Sequence, residues 1–228
     1  MASNEPANLV HLRAVSFQIS ALAVAFAVLS LTGVILVPAG VDEIVIQRGS
    51  GVATGALLVF GRRLWPGVFL GAMASRAILA WAGYWEFSEY GDLFAAFVMA
   101  LAMSAQVLAG VSLIRLACGF PLRLRGWRHL AVVVCGVIPL TCMITASSGI
   151  GLFAFSHAVD SADLVRHWFV WWIGDVIAVG LAVSVAVLGP WNRTPVAYWK
   201  GIALPQLSWQ ALIYVALSVA ITFLSWAQ

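Results

Sequence analysis

Charged residues are scarce in this chain. They make up 9% of its 228 residues, whereas a soluble domain carries about 25%. Hydrophobic residues make up 63%, and the mean hydropathy is +1.00. This composition excludes an ordinary soluble domain and predicts a polytopic membrane protein with the lipid bilayer as its main surroundings. The few basic residues form no stripe interleaved with stacking aromatics, so nucleic acid is excluded as a partner.

Side chains that catalyse reactions or bind metals are also few. The three cysteines, Cys118, Cys135 and Cys142, lie in or beside apolar runs, which favours packing over disulfide formation or metal binding. No nucleophile with a base and no cluster of metal ligands occurs at a usable spacing. We therefore expect no catalytic residue, no metal site and no enzyme activity. The sequence identifies no cofactor, and the four histidines lie near helix ends, which disfavours a haem bundle.

Long apolar runs predict an all-α polytopic membrane protein with about seven transmembrane helices. Six full spans are predicted at residues 15–37, 64–81, 93–116, 130–153, 167–191 and 207–226. Between the first two of these lies a segment, 41–61, whose clean apolar part covers only 50–60. At about 1.5 Å per residue that part cannot cross a hydrocarbon layer about 30 Å thick. The second helix is therefore predicted to be short or broken.

The distribution of charge predicts the orientation of the spans. The connections at 62–63 and 118–129 are basic, whereas those at 83–92 and 155–166 are acidic. The positive-inside rule then places the N-terminus in the cytoplasm. We expect residues 1–14 to form a cytoplasmic tail and residues 15–228 a single integral membrane domain.

Seven spans would leave the C-terminal end of the chain, Gln228, on the outer side. A cytoplasmic output domain needs one more crossing of the membrane. We therefore expect that the chain acts without an output domain of its own, or that an eighth helix and an output domain follow it in a longer protein.

Two ionisable residues are predicted to lie at membrane depth, Asp175 and Arg76. A carboxylate there costs about 2.5 to 3.5 kcal/mol on insertion scales, so it normally has a partner. We predict a buried Arg76–Asp175 pair that helps to line a ligand pocket. The alternative is that Arg76 snorkels outward while Asp175 only holds helices together. The predicted ligand-binding residues are Asp175, Arg76, Arg48, Gln47, Trp171, Trp172 and Gln106.

Glycines at four-residue spacing predict close helix packing. Gly51 with Gly55, and Gly67 with Gly71, form pairs of small residues that let two helix backbones approach. Gly174, directly before Asp175, is predicted to allow the same approach for the span at 167–191.

Two blocks of sequence resemble a known family. Residues 48–81, RGSGVATGALLVFGRRLWPGVFLGAMASRAILAW, and the WWIGD at 171–175 are similar to the two signatures of the membrane-associated sensor domain family, first type (MASE). Their order and separation also fit, so the resemblance covers nearly the whole chain. Two positions differ from the family pattern: Gln47 and Arg48 stand where members usually have Trp-Pro, and Arg76 stands where they usually have Asn.

The resemblance implies a MASE-like sensory input domain of a bacterial signalling protein in the inner membrane. Members are commonly dimeric, typically have eight spans, and are usually followed by a histidine kinase, a diguanylate cyclase or a phosphodiesterase. No phosphate-binding loop, GGDEF-type turn or kinase motif occurs in this sequence. We expect a homo-oligomer or a complex with other membrane subunits, and a small-molecule ligand is compatible with the polar residues at membrane depth.

Two other functions remain open from the sequence. The chain could be an accessory structural subunit of a larger membrane complex, which co-purification of a stable partner would reveal. It could also be a small-solute transporter or its substrate-binding membrane subunit, since a broken helix and charges near the midplane are typical of transporters. Vectorial uptake into vesicles would identify that class.

Overall fold

The computed structural model describes residues 5–35, 48–82, 89–119, 127–156 and 160–188. All regular secondary structure within these ranges is helical. Five of the helical segments are long and apolar enough to cross a membrane. The all-α, multi-pass architecture is therefore confirmed. The count of about seven spans stays a prediction, because the last predicted span, 207–226, lies outside the described residues.

The described residues form seven α-helical segments. They are α1 (Glu5–Ile35), α2 (Arg48–Phe60), α3 (Trp65–Trp81), α4 (Glu89–Cys118), α5 (Trp127–Ala131), α6 (Ile138–Ser156) and α7 (Leu164–Leu188). A 3₁₀ turn, Arg62–Leu64, leads into α3. A π-helical turn, Val132–Val137, joins α5 to α6, so that Trp127–Ser156 forms a single span.

Two helices begin earlier than hydropathy predicts. α1 starts at Glu5 instead of residue 15, and α4 starts at Glu89, inside the segment 83–92 that was predicted to be a connection. Hydropathy marks the apolar part of a helix, whereas the backbone hydrogen bonds continue through polar residues that favour helix. Pro6 is compatible with the first turn of α1 because an N–H there has no partner within the helix.

The short helix α2 lies at the centre of the bundle, against α1, α4 and α7. It has 13 residues, which is about 20 Å at roughly 1.5 Å per residue and too short to span the membrane. Ala53 and Leu57 are fully buried, in one apolar core with Val107 of α4 and Val179 of α7. The half-length second helix predicted from the sequence is therefore also the innermost one.

The C-terminal end of α2 is held by an arginine from another helix. The Arg115 side chain of α4 donates hydrogen bonds from Nη2 to the carbonyl oxygens of Leu57 and Leu58, at 3.0 and 2.9 Å. These carbonyls are among the last four of α2, where helix hydrogen bonding ends, and that of Leu57 also accepts from the backbone N–H of Gly61 at 3.1 Å. The positive charge also complements the negative end of the helix dipole. The short helix can therefore end inside the bundle.

Two glycines bring α3 against α1. A Cβ atom added at Gly67 would lie 2.6 Å from the carbonyl oxygen of Ile19, and one added at Gly71 would lie 2.7 Å from that of Ala23. Both distances are shorter than a carbon–oxygen contact allows. The Gly67–Gly71 face of α3 therefore packs directly on the backbone of α1, as helices in membranes do at pairs of small residues.

We expect Gly71→Ala to destabilise the protein by about 1–3 kcal/mol, because its methyl group would overlap the backbone of α1. Gly151→Ala is the matched control. An added Cβ there meets no atom within 4 Å, and alanine favours a helix over glycine by about 0.5–1 kcal/mol. Thermal unfolding in mild detergent measures both, and equal melting temperatures for the two variants would contradict the close packing.

Candidate functional site

Asp175 lies near the middle of α7 and is completely buried. Its carboxylate accepts hydrogen bonds from three other helices. Ser50 Oγ of α2 donates to Oδ1 at 2.6 Å, and Thr145 Oγ1 of α6 donates to Oδ2 at 2.5 Å. Gln106 Nε2 of α4 reaches Oδ2 at 3.3 Å. We call Asp175, Ser50, Gln106 and Thr145 the Asp175 cluster.

The members of the Asp175 cluster also bond to one another. Thr145 Oγ1 is within hydrogen-bond distance of Gln106 Oε1 as well as of the carboxylate, and Gln106 Nε2 lies 3.7 Å from Cys142 Sγ. A hydroxyl has one proton, so Thr145 can donate to only one acceptor at a time: the carboxylate, Gln106 Oε1, or the carbonyl oxygen of Cys142 at 3.4 Å. Two of these alternatives link α6 to another helix, one to α7 and one to α4.

The cluster also lies at the N-terminal end of α2. Ser50 is the third residue of that helix and is fully buried. A carboxylate at the first turn of a helix is stabilised by the positive end of the helix dipole. Asp175 and Arg115 therefore place charges of the favourable sign at opposite ends of α2.

The Arg76 side chain is not a member of the Asp175 cluster. Its guanidinium carbon is 6.0 Å from the centroid of the Trp171 ring, a cation–π geometry. The expected pairing with Asp175 is not among the contacts of that carboxylate, whose partners within the described part of the chain are all neutral groups. The structure thus separates the two ionisable residues that the sequence analysis had joined.

A narrow cleft lies beside Trp171, between α3, α4, α6 and α7. We call it the Trp171 cleft; it is lined by Trp171 together with Arg76, Ala95, Met99, Gly149, Leu152 and Phe153. About 190 Å³ of empty space lies between and just outside these side chains, and none of it is wide enough for a water molecule. The cleft is therefore closed in this conformation.

Trp171 packs tightly but leaves its polar atom without a partner. Only 9% of the residue is exposed, its ring lies so close to Gly149 that a Cβ there would overlap it, and the Phe153 ring is centred 6.0 Å away. The indole N–H is buried and has no acceptor among the described residues. By contrast, Trp172 Nε1 donates to the carbonyl oxygen of Pro139 at 2.8 Å.

Four of the seven predicted ligand-binding residues fall into two neighbouring groups. Asp175 and Gln106 belong to the Asp175 cluster, whereas Arg76 and Trp171 line the cleft. Trp171 and Asp175 are four residues apart on α7, which places them one above the other on the same face of the helix. The two groups are therefore connected through a single turn.

The remaining predicted residues have other positions. Trp172 packs α7 against α6 through its bond to Pro139. Gln47 lies outside the described residues. Arg48 is the first residue of α2, and the structure describes its backbone but not its side chain. Of the packing glycines, Gly51 and Gly174 are buried, and a Cβ at Gly55 would make an ordinary contact, 3.5 Å from Ala182 Cβ.

The sequence analysis missed the two hydroxyl residues that hold the carboxylate, Ser50 and Thr145. A usable signal was present: Ser50 with Thr54, and Thr141 with Thr145, are hydroxyl pairs at four-residue spacing inside apolar runs. Such pairs mark one face of a helix, and a buried carboxylate requires donors on neighbouring faces.

The site has the means to hold and orient groups. Among the described residues, no set of three or more His, Cys, Asp or Glu side chains is grouped so that it could hold a metal ion. The cluster offers a carboxylate surrounded by hydroxyl and amide donors, and the cleft offers a guanidinium and an indole N–H in an apolar lining. The cluster and the cleft thus bring polar groups together inside an apolar bundle.

Comparison with known proteins gives one match. The model of the MASE1 family matches residues 15–227, nearly the whole chain. No curated protein and no solved structure gives a significant match.

We expect Thr145→Val to destabilise the protein by about 1–2 kcal/mol, because it removes a donor to the buried carboxylate without changing the side-chain volume much. Thr141→Val is the matched control. Thr141 is equally buried on the same helix, but its hydroxyl bonds only to carbonyls of its own helix, those of Val137 and Ile138. Chemical unfolding in mild detergent measures the difference, and equal losses for both variants would show that the interhelical bond contributes nothing.

Replacing an indole N–H by sulfur, with 3-benzothienylalanine, tests the two tryptophans without altering their shape. At position 172 the change removes a hydrogen bond and should lower stability by about 1 kcal/mol. At position 171 it removes an unsatisfied buried donor, so stability should stay the same or rise. The melting temperatures of the two variants measure this difference. A loss of stability at position 171 as large as that at position 172 would mean that the Trp171 N–H has an acceptor.

Proposed function

The chain belongs to the MASE1 family of membrane-associated sensory domains, and from this premise we propose that it detects a ligand or a membrane partner at the Trp171 cleft and relays the signal through the Asp175 cluster. In this proposal the chain is the input part of a bacterial signalling system and not an enzyme.

The observation that carries the proposal is the convergence of four helices on one buried carboxylate. α2, α4 and α6 each contribute a side chain that contacts Asp175 of α7. Apolar side chains gain little by leaving lipid for protein, so polar contacts and close packing determine how membrane helices are arranged. A change in the position of Asp175 therefore alters the contacts of all four helices together.

The geometry of α7 supports a link between the cleft and the cluster. The cleft is closed, so a ligand must displace Trp171 or Phe153 to enter. Trp171 lies one turn from Asp175, and a displacement of that turn changes the distances from the carboxylate to Ser50 and Thr145. Thr145 has a second acceptor, Gln106 Oε1, to which it can donate when the carboxylate moves away. The cluster can thus adopt two hydrogen-bonded arrangements, as a relay requires.

The remaining features of the proposal rest on the charge pattern and on the family. The basic connections support a cytoplasmic N-terminus in the bacterial inner membrane. In that orientation the Trp171 cleft lies in the outer half of the bilayer, since Arg76 is five residues before Trp81 at the outer end of α3. We propose that residues 15–228 act as one integral membrane domain, after a cytoplasmic tail at 1–14, within a homo-oligomer or a complex with other membrane subunits.

Native mass spectrometry of the chain, extracted in mild detergent, tests the proposal. We expect the wild type to retain a small molecule, and Asp175→Asn to retain at least tenfold less of it. Asparagine has the shape of aspartate but places a donor where the cluster needs an acceptor, so the turn that carries Trp171 should shift. Asp163→Asn is the control, because Asp163 is exposed and its carboxylate lies 3.7 Å from Arg166 Nε on the surface.

Each other result contradicts the proposal in a distinct way. Equal retention by wild type and Asp175→Asn would show that the cluster is not coupled to binding. A stoichiometric protein partner without any small molecule would favour an accessory structural subunit. Absence of both bound species would remove the basis for sensing at this site.

A further inference from the structure

We infer that Asp175 is a proton-binding site whose occupancy turns the Thr145 hydroxyl. With the carboxylate charged, Thr145 donates to Asp175; with one proton bound, Thr145 accepts from Asp175 and donates to Gln106 of α4. The proton site stands on the geometry of the Asp175 cluster, and its part in signalling rests on the proposed function.

The contacts around Thr145 are one proton short when Asp175 is charged. Thr145 Oγ1 lies within hydrogen-bond distance of Asp175 Oδ2 and of Gln106 Oε1, and both of these oxygens are acceptors. The single hydroxyl proton fills one contact, so the other brings two oxygen atoms together with no hydrogen between them. Turning the Gln106 amide over would bring its oxygen towards Oδ2, where Nε2 lies at 3.3 Å, and would leave the same shortage.

One added proton removes the shortage. An O–H bond forms at Oδ2 of Asp175, with bulk water as the proton source, and the carboxyl group becomes neutral. Oδ2–H then donates to Thr145 Oγ1, and the Thr145 hydroxyl donates to Gln106 Oε1. Ser50 Oγ continues to donate to Oδ1 at 2.6 Å. The protonated cluster therefore has a hydrogen in each of these contacts and gains a bond between α6 and α4.

The surroundings of Asp175 suit both forms of its carboxyl group. The residue is completely buried, which disfavours the charge, whereas donors on Ser50, Thr145 and Gln106 favour it. A carboxylate that only holds helices together needs donors and no further acceptor. Gln106 Oε1 is such an acceptor, and Thr145 can donate to it without depriving the carboxyl group of a bond only in the protonated form.

Other charged and titratable groups on the surrounding helices are few among the described side chains. On α6, Cys142 Sγ lies 3.7 Å from Gln106 Nε2. On α4, Arg115 bonds to the far end of α2, about 13 Å along its helix from Gln106 at roughly 1.5 Å per residue. On α3, Arg76 lies against the Trp171 ring.

Two further positions complete this set. On α7 itself, Arg166 and His167 are more than two turns before Asp175. On α2, Arg48 precedes Ser50 by two residues, and the structure does not describe its side chain. Arg48 is therefore included in the test as a variant.

Infrared difference spectroscopy of the chain in mild detergent detects the proton directly. We expect the C=O stretching band of a protonated carboxyl group to grow as the pH falls from about 8 to about 5, a range in which exposed Asp and Glu side chains stay mostly charged. The band should be absent from Asp175→Asn and present in Asp163→Asn, whose altered side chain is on the surface. Carboxyl-¹³C aspartate should shift the band in the wild type, which identifies an aspartate even if Asp175→Asn fails to fold.

Three results would overturn the proton site or its switching. No band in the wild type across this range, or a band that Asp175→Asn retains, removes the site. A band that is lost in Asp175→Asn but does not change with pH shows a permanently bound proton and no switch. A band that appears only after Arg48→Gln shows that Arg48 neutralises the carboxylate in the wild type.

A double-mutant cycle tests the turn of the hydroxyl without altering Asp175. At about pH 5 the Thr145→Val and Gln106→Leu changes should be coupled by about fivefold in the unfolding equilibrium, the effect of one neutral hydrogen bond, and the coupling should disappear at about pH 8. Thr141→Val replaces Thr145→Val in the control cycle and should show no coupling at either pH, because the Thr141 hydroxyl bonds only within α6 and its neighbouring turn. Coupling between Thr145 and Gln106 that is equal at the two pH values would contradict the turn.

These outcomes are distinct from those of the proposed function. If the band titrates and native mass spectrometry finds no bound molecule, the proton site stands and the sensing of a ligand or partner at the cleft is wrong. If a molecule is retained in an Asp175-dependent manner and no band titrates, the proposed function stands and the proton site is wrong.

Discussion

The structure depends on a helix that is too short for the membrane it lies in. The first turn of α2 is buried at Ser50, and its last carbonyls contact a half-buried arginine, so the backbone groups left over at its ends are at least partly shielded from water. The surrounding helices therefore have to supply polar side chains at two depths. Arg115 does this at the C-terminal end and Ser50, bonded to Asp175, marks the N-terminal end. Two charged residues of this apolar chain, Arg115 and Asp175, thus lie at the two ends of α2.

The same constraint explains why binding and relay can be combined in a small region. The carboxylate that faces the start of α2 also lies one turn from the aromatic ring that closes the cleft. A group that enters the cleft acts on α7, and Asp175 of α7 accepts hydrogen bonds from α2, α4 and α6. The polar contacts are few and fully buried, so each contributes more to the arrangement of the helices than a surface contact would. The apolar core around Leu57 and Val107 supplies packing without specifying one arrangement.

Sequence reasoning was accurate where the signal is local and failed where partners are distant along the chain. Hydropathy found five of the spans and the short α2, because bilayer thickness sets helix length directly. The spacing of Gly67 and Gly71 indicated a packing face, although only the structure shows that α1 covers it. For Asp175, burial and the need for partners could be predicted, but the choice of Arg76 followed from depth alone. Depth does not determine which side of a helix a residue occupies. The orientation of the helices about their axes directs Arg76 to Trp171, and Asp175 bonds to hydroxyl and amide groups instead.

The π-helical turn at Val132–Val137 has a consequence for how this chain can change over evolution. Such a turn holds a surplus residue relative to an α-helix, without disturbing the helix on either side. Deleting one residue within it would restore regular α-helix and keep the face of α6 that bears Thr145 directed at Asp175. A deletion elsewhere in the same span would rotate the rest of the helix by about 100°. Single-residue length differences among relatives should therefore concentrate in this turn, because it can lose one residue without changing the direction of the side chains that follow.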